Sequence, residues 1–168
     1  KKYDDASLFV PENLLREARR QKNISEGQVP SICILDPDGD ILDNLLSTHR
    51  AKINAYWASY HTELYNFKFE DIEFGIIGCA VGASFAVLIA EELFVSGCQL
   101  LISVTSSGQI IPREKPPFFV LIERAWRDEG TSYHYMPPSD YSYINREILA
   151  MLEDAFSEST IPVNKGAT

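Results

Sequence analysis

Two stretches of this sequence concentrate side chains that could do chemistry. Thr105-Ser106-Ser107-Gly108 follows an apolar run and joins three hydroxyls to a glycine. Hydroxyls and free backbone N–H groups at the carboxyl end of a buried strand suit the oxygens of a phosphate or a sugar. An ordinary turn has the same composition. The second stretch is Arg127-Asp128-Glu129-Gly130-Thr131-Ser132-Tyr133-His134-Tyr135. It packs both signs of charge, two hydroxyls, an imidazole and two phenols into one loop. Such a loop is held by a scaffold either for ligand contact or as a polar interface. Arg127, Glu129, Thr131, Tyr133 and His134 are its candidate ligand or interface residues.

Other patterns fail on spacing. Asp36, Asp38, Asp40 and Asp43 cluster around Gly39. A calcium loop counted from Asp36 needs Gly at its sixth position and Glu at its twelfth, where Ile41 and Ser47 stand. The cluster reads as a strand-end turn that caps a helix. Gly75, Gly78 and Gly82 match neither a dinucleotide fingerprint nor a P-loop. Ser84 lacks the second glycine of a nucleophile elbow, which leaves a helix cap as its role. His49, His61 and His134 have no partner at helical spacing, so no metal is expected. No side chain is assigned as catalytic.

These residues need elements to hold them. Pro11 and Glu12 open a helix over 10–22 with Leu14, Leu15 and Ala18 on one face. Apolar runs at 31–35, 73–78, 100–104 and 118–125 read as strands, and 64–69 alternates as a strand does. Helices are expected from Asp40, over 82–94 with Gly97 as the stop, and over 145–156. The aromatics between Ala55 and Phe69 read as core. Thr160 to Thr168 reads as the start of another strand and turn. Strands alternating with helices imply an α/β fold around a parallel or mixed sheet.

Composition sets the outer limits. The chain has 168 residues, 45% of them apolar, which suits a single domain over 1–168 with one core. Fifteen basic against 24 acidic residues give a net charge of −9, and no basic run offsets it. Nucleic acid and anionic membranes are therefore not expected as partners. The uncharged stretch from Phe74 to Ala90, 17 residues with three glycines, is shorter than a membrane span. Cys33, Cys79 and Cys98 are odd in number and lie in apolar stretches, as free buried thiols in a reducing compartment would.

Three segments together resemble the nucleoside phosphorylase superfamily, of the purine nucleoside and uridine phosphorylase type. Ile34-Leu35-Asp36-Pro37 is similar to its early strand and Gly-Asp-Pro turn. Gly75 to Gly108 is similar to its block of Gly-rich turn, helix with Glu91-Glu92-Leu93, strand and Thr/Ser-Gly turn. Arg127 to Pro138 is similar to a segment of uridine-phosphorylase-like members. The resemblance implies a three-layer α/β/α fold with a mixed sheet, cytoplasmic and homo-oligomeric. It implies a pentosyltransferase that cleaves the N-glycosidic bond of a purine or pyrimidine nucleoside, with inorganic phosphate as co-substrate and no other cofactor. Ser106, Ser107 and Gly108 then map to the phosphate- and ribose-binding turn.

Two family arginines have no counterpart here. Asp38-Gly39-Asp40 follows the early turn without one, and Ser103 stands where the strand before the Thr/Ser turn offers the other. A phosphate site without a guanidinium lacks its bidentate bonds. Arg50, Arg113 and Arg127 are the candidates to compensate. A nucleosidase using water, or a non-catalytic nucleoside-binding member, tolerates the loss. The family's ribose clamp, base pocket and leaving-group acid also have no equivalent, so the resemblance implies the N-terminal portion of such a protein. An open sheet region is expected near Ile161 to Thr168.

Overall fold

The computed structural model describes residues 3, 5–112, 114–152 and 154–168. They fall into two compact units, Asp5–Ser107 and Gly108–Thr168, Tyr3 joining the latter.

The first unit begins with helix α1, Pro11–Lys22. Proline at the first position, Glu12 in the first turn and Arg19, Arg20 and Lys22 in the last all match the helix dipole. The helix buries Leu15 and Ala18 against Ala58 and ends at Asn23 with φ 54°. Then follow β1 (Ile32–Asp36), α2 (Asp40–Ser47), β2 (Ala51–Ile53), β3 (Tyr65–Phe69), β4 (Ile72–Gly78), α3 (Ala83–Val95) and β5 (Leu100–Ser103). The sheet order is β2-β3-β4-β1-β5. β4, β1 and β5 run parallel, and β2-β3-β4 is antiparallel. This is the mixed sheet and α/β class expected from the sequence.

The strongly apolar runs supply the core. Cys33 and Leu35 of β1, Ile77 of β4, and Ile89 and Leu93 of α3 pack with Val29, Trp57, Leu64, Ala80 and Cys98. Of the aromatics between Ala55 and Phe69, Trp57 is buried, with its indole N–H donating to Thr62, whereas Tyr56, Tyr60 and Phe69 are exposed. Gly75 is required on β4, because a Cβ there would lie 2.8 Å from the Cys33 Sγ.

Ser84 does not cap α3; Gly82 takes that position with φ 95°, and Ser84 lies inside the first turn. Cys79 is exposed, while Cys33 and Cys98 are buried. Its φ of 61° ends β4 and turns the side chain out of the core. β2, three residues long, is too short to announce itself by periodicity.

The second unit holds β6 (Phe119–Trp126), a 3-10 turn (Ser132–His134), β7 (Tyr141–Tyr143), α4 (Arg146–Met151) and β8 (Val163–Ala167). Its sheet order is β7-β6-β8, with β7 antiparallel and β8 parallel to β6. The helix expected over 145–156 is shorter. Asn145 caps it by accepting from the N–H groups of Glu147 and Ile148, but none of its residues is buried. Six residues without a packed face do not propagate a helix. Among the described residues of this unit no apolar side chain is fully buried. Val120, Ile122, Trp126 and Tyr143 are exposed, and β8 is an edge strand, an open sheet near Ile161 to Thr168 as expected. No helix among the described residues is long and apolar enough to cross a membrane.

Burial, with Cys98 beside it, pushes the Cys33 thiol up to about 12, and burial also raises Cys98. Thiolate is the reactive form, so a disulfide reagent should titrate one cysteine, Cys79, in the native protein and three in denaturant. Three fast thiols in the native state would contradict this core. Glu92 on α3 is fully buried, and among the described residues neither carboxylate oxygen has a hydrogen-bond partner. Burial raises its pKa, against the opposing pull of Ser59, His61 and Lys22. A raised carboxyl pKa contributes stability that is complete below the ordinary carboxylate range and is lost as pH rises through the folded value. Glu92→Gln should therefore raise the melting temperature near pH 8 more than near pH 4, measured by calorimetry.

Candidate functional site

The parallel strands β1, β4 and β5 end side by side at Asp36, Gly78 and Ser103. In open α/β sheets the crevice outside such strand ends is where ligands bind. Here three turns meet, and the buried Asp36 ties two of them together. Its carboxylate accepts from the N–H groups of Gly39 at 3.2 Å and Leu42 at 2.9 Å. Its backbone carbonyl accepts from Gly39 at 3.0 Å and from Cys79 at 2.9 Å. The Val104 N–H donates to the Leu35 carbonyl at 2.9 Å and brings the third turn alongside. Gly39 has φ 86°, and a Cβ there would sit 2.9 Å from the Cys79 Sγ. The turn after β1 therefore accepts only glycine at that position.

The turn after β5 carries the hydroxyl cluster singled out in the sequence. Thr105 and Ser106 face Asp38 across the strand ends. The Thr105 hydroxyl lies 3.3 Å from both carboxylate oxygens of Asp38, and the Ser106 N–H donates to one of them. The Ser106 N–H is the largest cause holding the Asp38 carboxyl below its ordinary range, and the Thr105 and Ser106 hydroxyls act in the same direction. Ser107 and Gly108 are exposed, and a Cβ on Gly108 would meet open space. Ser106 is thus brought to a charged partner, while Ser107 and Gly108 are not. Sequence reasoning missed Asp38 because the acidic cluster was read as a helix-capping turn. The opposed signal was present: carboxylate after one strand, N–H-rich turn after the neighbouring one.

No metal cluster occurs among the described residues, and His49 and His61 are exposed singly. Arg50 does not reach the turns. It precedes β2, whose first residue Ala51 pairs with Phe67 and through it lies level with Phe74, at the far end of β4 from Gly78. Arg113 lies outside the described residues.

Arg127 belongs to the second unit and is buried at 4% exposure. Four of its five N–H donors are used inside its own loop. Nε donates to the Ser132 hydroxyl at 2.9 Å, and Nη1 to the Pro137 carbonyl and the Ser139 hydroxyl, each at 2.7 Å. Nη2 donates to the Met136 carbonyl at 3.2 Å. The guanidinium lies 4.4 Å from the Tyr133 ring centroid, and the Tyr133 hydroxyl donates to the Arg127 carbonyl at 2.9 Å. Glu129 accepts from the N–H groups of Thr131 and Ser132, and the bonds to Ser132 are the main cause lowering its pKa. His134 is exposed. Arg127, Glu129, Thr131 and Tyr133 therefore come together as one self-bonded loop, with Arg127 at its centre.

No protein-family model matches the sequence, and no curated protein sequence matches it. Solved structures do. A uridine phosphorylase from Vibrio fischeri superposes with a TM-score of 0.70 at 19% identity, covering 86% of this chain and 60% of its own. A purine nucleoside phosphorylase from Toxoplasma gondii gives 0.67 at 17% identity, with 83% and 56% covered. A 5′-methylthioadenosine/S-adenosylhomocysteine nucleosidase from Campylobacter jejuni gives 0.63 at 16%, with 83% and 63% covered. The chain shares the fold of these nucleoside phosphorylases and nucleosidases and spans roughly three-fifths of their length.

Arg127→Ala should remove the centre of the polar loop and strand several carbonyls and hydroxyls. A loss on the order of 3 kcal/mol is expected for the unit that contains it. Limited proteolysis should then cut within 128–139 well before the Asp5–Ser107 unit. Unchanged protection of that loop would overturn the assignment of Arg127 as its centre.

Proposed function

We propose that this chain is part of a protein that binds a nucleoside and cleaves its N-glycosidic bond, with the Thr105–Ser106–Ser107 turn on the sugar side. One observation carries the reading: the hydroxyl- and N–H-bearing turn stands at the carboxyl ends of parallel strands in a backbone that nucleoside phosphorylases and nucleosidases share. In an oxocarbenium-like reaction the sugar gains positive charge, so oxygen acceptors and fixed dipoles beside it favour the transition state over the ground state. The Asp36-centred turns supply the rigidity that such preorganisation needs.

Phosphate is the nucleophile of the phosphorylase reading, under which the protein is a pentosyltransferase acting on nucleoside and phosphate; a cytoplasmic homo-oligomer is the setting proposed with it. A second reading is a nucleoside-binding protein without turnover. It is favoured by the lack of Lys or Arg in the turns 36–40, 78–82 and 103–107.

Chromatographic measurement of free base should decide between them. The substrates are uridine, inosine, adenosine and methylthioadenosine, offered to the chain and to its complete reading frame, with and without phosphate. Base release from at least one nucleoside is expected. Saturable binding by calorimetry without base release would favour the second reading, and neither binding nor release would reject both.

A further inference from the structure

We propose that the cleft at the amino ends of β1 and β4 binds an aminopyrimidine base, free cytosine or its nucleoside, and reads it along one edge with Glu73, Asn66 and Asn54. The cleft lies at the other end of the sheet from the Thr105–Ser106 turn, so the inference goes beyond the glycosidic reading and does not depend on it.

The cleft has a volume of about 320 Å³ and is walled by the segment before β1, the loop after β2 and the start of β4. That size suits a single heterocycle, since ligand pockets begin at roughly 300 Å³. The segment before β1 is pinned, because the Val29 N–H donates to the Ser96 carbonyl at 3.0 Å. Tyr56 forms one wall. A Cβ on Gly27 would run into the Tyr56 ring, so the ring is seated against glycine backbone while it stays exposed. An aromatic ring held in this way is a stacking surface for a planar base.

The polar side is a row of side chains that orient one another. Asn54, 8% exposed, accepts from the Tyr56 N–H at 2.9 Å and donates to the Asn66 side-chain oxygen at 2.9 Å. Asn66 donates in turn to Glu73 Oε1 at 3.4 Å. A carboxamide nitrogen carries two N–H groups, so Asn54 and Asn66 each keep one after the bonds within the row. Glu73 keeps Oε2, and a carboxylate only accepts. Lys68 stands opposite Glu73 in the β3–β4 ladder, but among the described residues no ion pair joins the two.

From Glu73 through Asn66 to Asn54 the row offers acceptor, donor, donor. The complementary edge is donor, acceptor, acceptor, which is the exocyclic amine, bare ring nitrogen and carbonyl of cytosine in that order. Uracil carries a carbonyl in place of that amine and an N–H in place of that bare nitrogen. It would set an oxygen against the Glu73 carboxylate and an N–H against the Asn66 N–H. A site built to hydrogen-bond one edge rejects such an analogue, because its own polar groups are left unpaired. Adenine matches the first two positions and has no group for Asn54. Glu73 is the one charged group lining the cleft among the described residues, which favours a neutral ligand that donates over an anion.

Calorimetric titration with cytosine, cytidine and uracil tests the proposal. Cytosine should bind with a Kd on the order of 0.1–1 mM, the range of so small a ligand, and uracil at least about tenfold more weakly. Cytidine bound as cytosine is assigns the cleft to base and nucleoside alike, and cytidine excluded assigns it to the free base; either upholds the site. Glu73 is exposed, so the isosteric Glu73→Gln leaves the fold intact. It should weaken cytosine roughly tenfold and bring it level with uracil. Tyr56→Leu should weaken both bases together and keep their ratio. Thr105→Val, at the opposite end of the sheet, should change neither. Uracil bound as tightly as cytosine, cytosine binding untouched by both Glu73→Gln and Tyr56→Leu, or no cytosine binding at about 10 mM overturns the proposal. Binding lost in Thr105→Val and kept in Glu73→Gln also overturns it, and moves the base to the crevice at the strands' carboxyl ends.

Discussion

A carboxylate buried at the end of a strand must have its charge met by hydrogen-bond donors, or it will not stay there. Asp36 meets that demand with backbone N–H groups, and the carboxyl end of the first unit's parallel strands is built from the solution. The two N–H groups it recruits come from Gly39 and Leu42, which bends the chain into a tight turn and launches α2. Its carbonyl fixes the Cys79 N–H, which sets where β4 ends. The positive φ values at Gly39 and Cys79 are consequences of this turn pair. Once those two turns are fixed, β5 pairs with β1 on the other side and delivers Thr105 and Ser106 to the same place.

The two units obtain their order differently. In the first, aliphatic side chains from β1, β4 and α3 are withdrawn from water around one core, the dominant stabilising term in most domains. In the second, the buried side chain among the described residues is a guanidinium, and its loop is organised by hydrogen bonds and a cation–π contact. Hydrogen bonds contribute modest net stability each, but a buried donor set left unsatisfied is costly. Such a loop is therefore sharply defined by its arginine and poorly tolerant of its loss. The β6 face with Val120, Ile122 and Trp126 is left exposed, although Trp126 and Tyr141 pack edge to face at 5.0 Å.

What the sequence made legible follows from the same division. β1, β4 and α3 were readable because each is apolar enough to be buried and is bounded by Gly, Pro or Asp, and β5 by its apolar run alone, although Leu100 and Ile102 are exposed on this edge strand. Their boundaries came within one or two residues for the same reason. β2 and β7 were not readable: three-residue edge strands such as Ala51–Ile53 and Tyr141–Tyr143 are held by their neighbours' ladders and carry no pattern of their own. The helix over 145–156 was overextended because Leu152, Ala155 and Phe156 fit a 3.6-residue period whether or not a surface exists to cover them. Of the site residues, the hydroxyl turn was visible in composition. The pairing of Asp38 with Ser106 was not, since it spans 68 residues and depends on β1 and β5 being neighbours.

The lack of Lys or Arg in the turns 36–40, 78–82 and 103–107 and the presence of Asp38 are linked by geometry. An arginine placed in the turn after β1 would need an L-residue backbone, but Gly39 is held at φ 86° by Asp36 and closed in by Cys79. Restoring the cation would therefore mean rebuilding the Asp36 turn and the end of β4 together. An arginine at the end of β5 would replace Ser103, one strand from Asp38 and two residues before the donors Asp38 occupies. Its guanidinium would then be drawn to that carboxylate, within the chain. With Asp38 removed, the Ser106 N–H and Thr105 hydroxyl are released even without an arginine. The carboxylate ties the turn after β1 to the turn after β5, and a cation placed in either would meet it first.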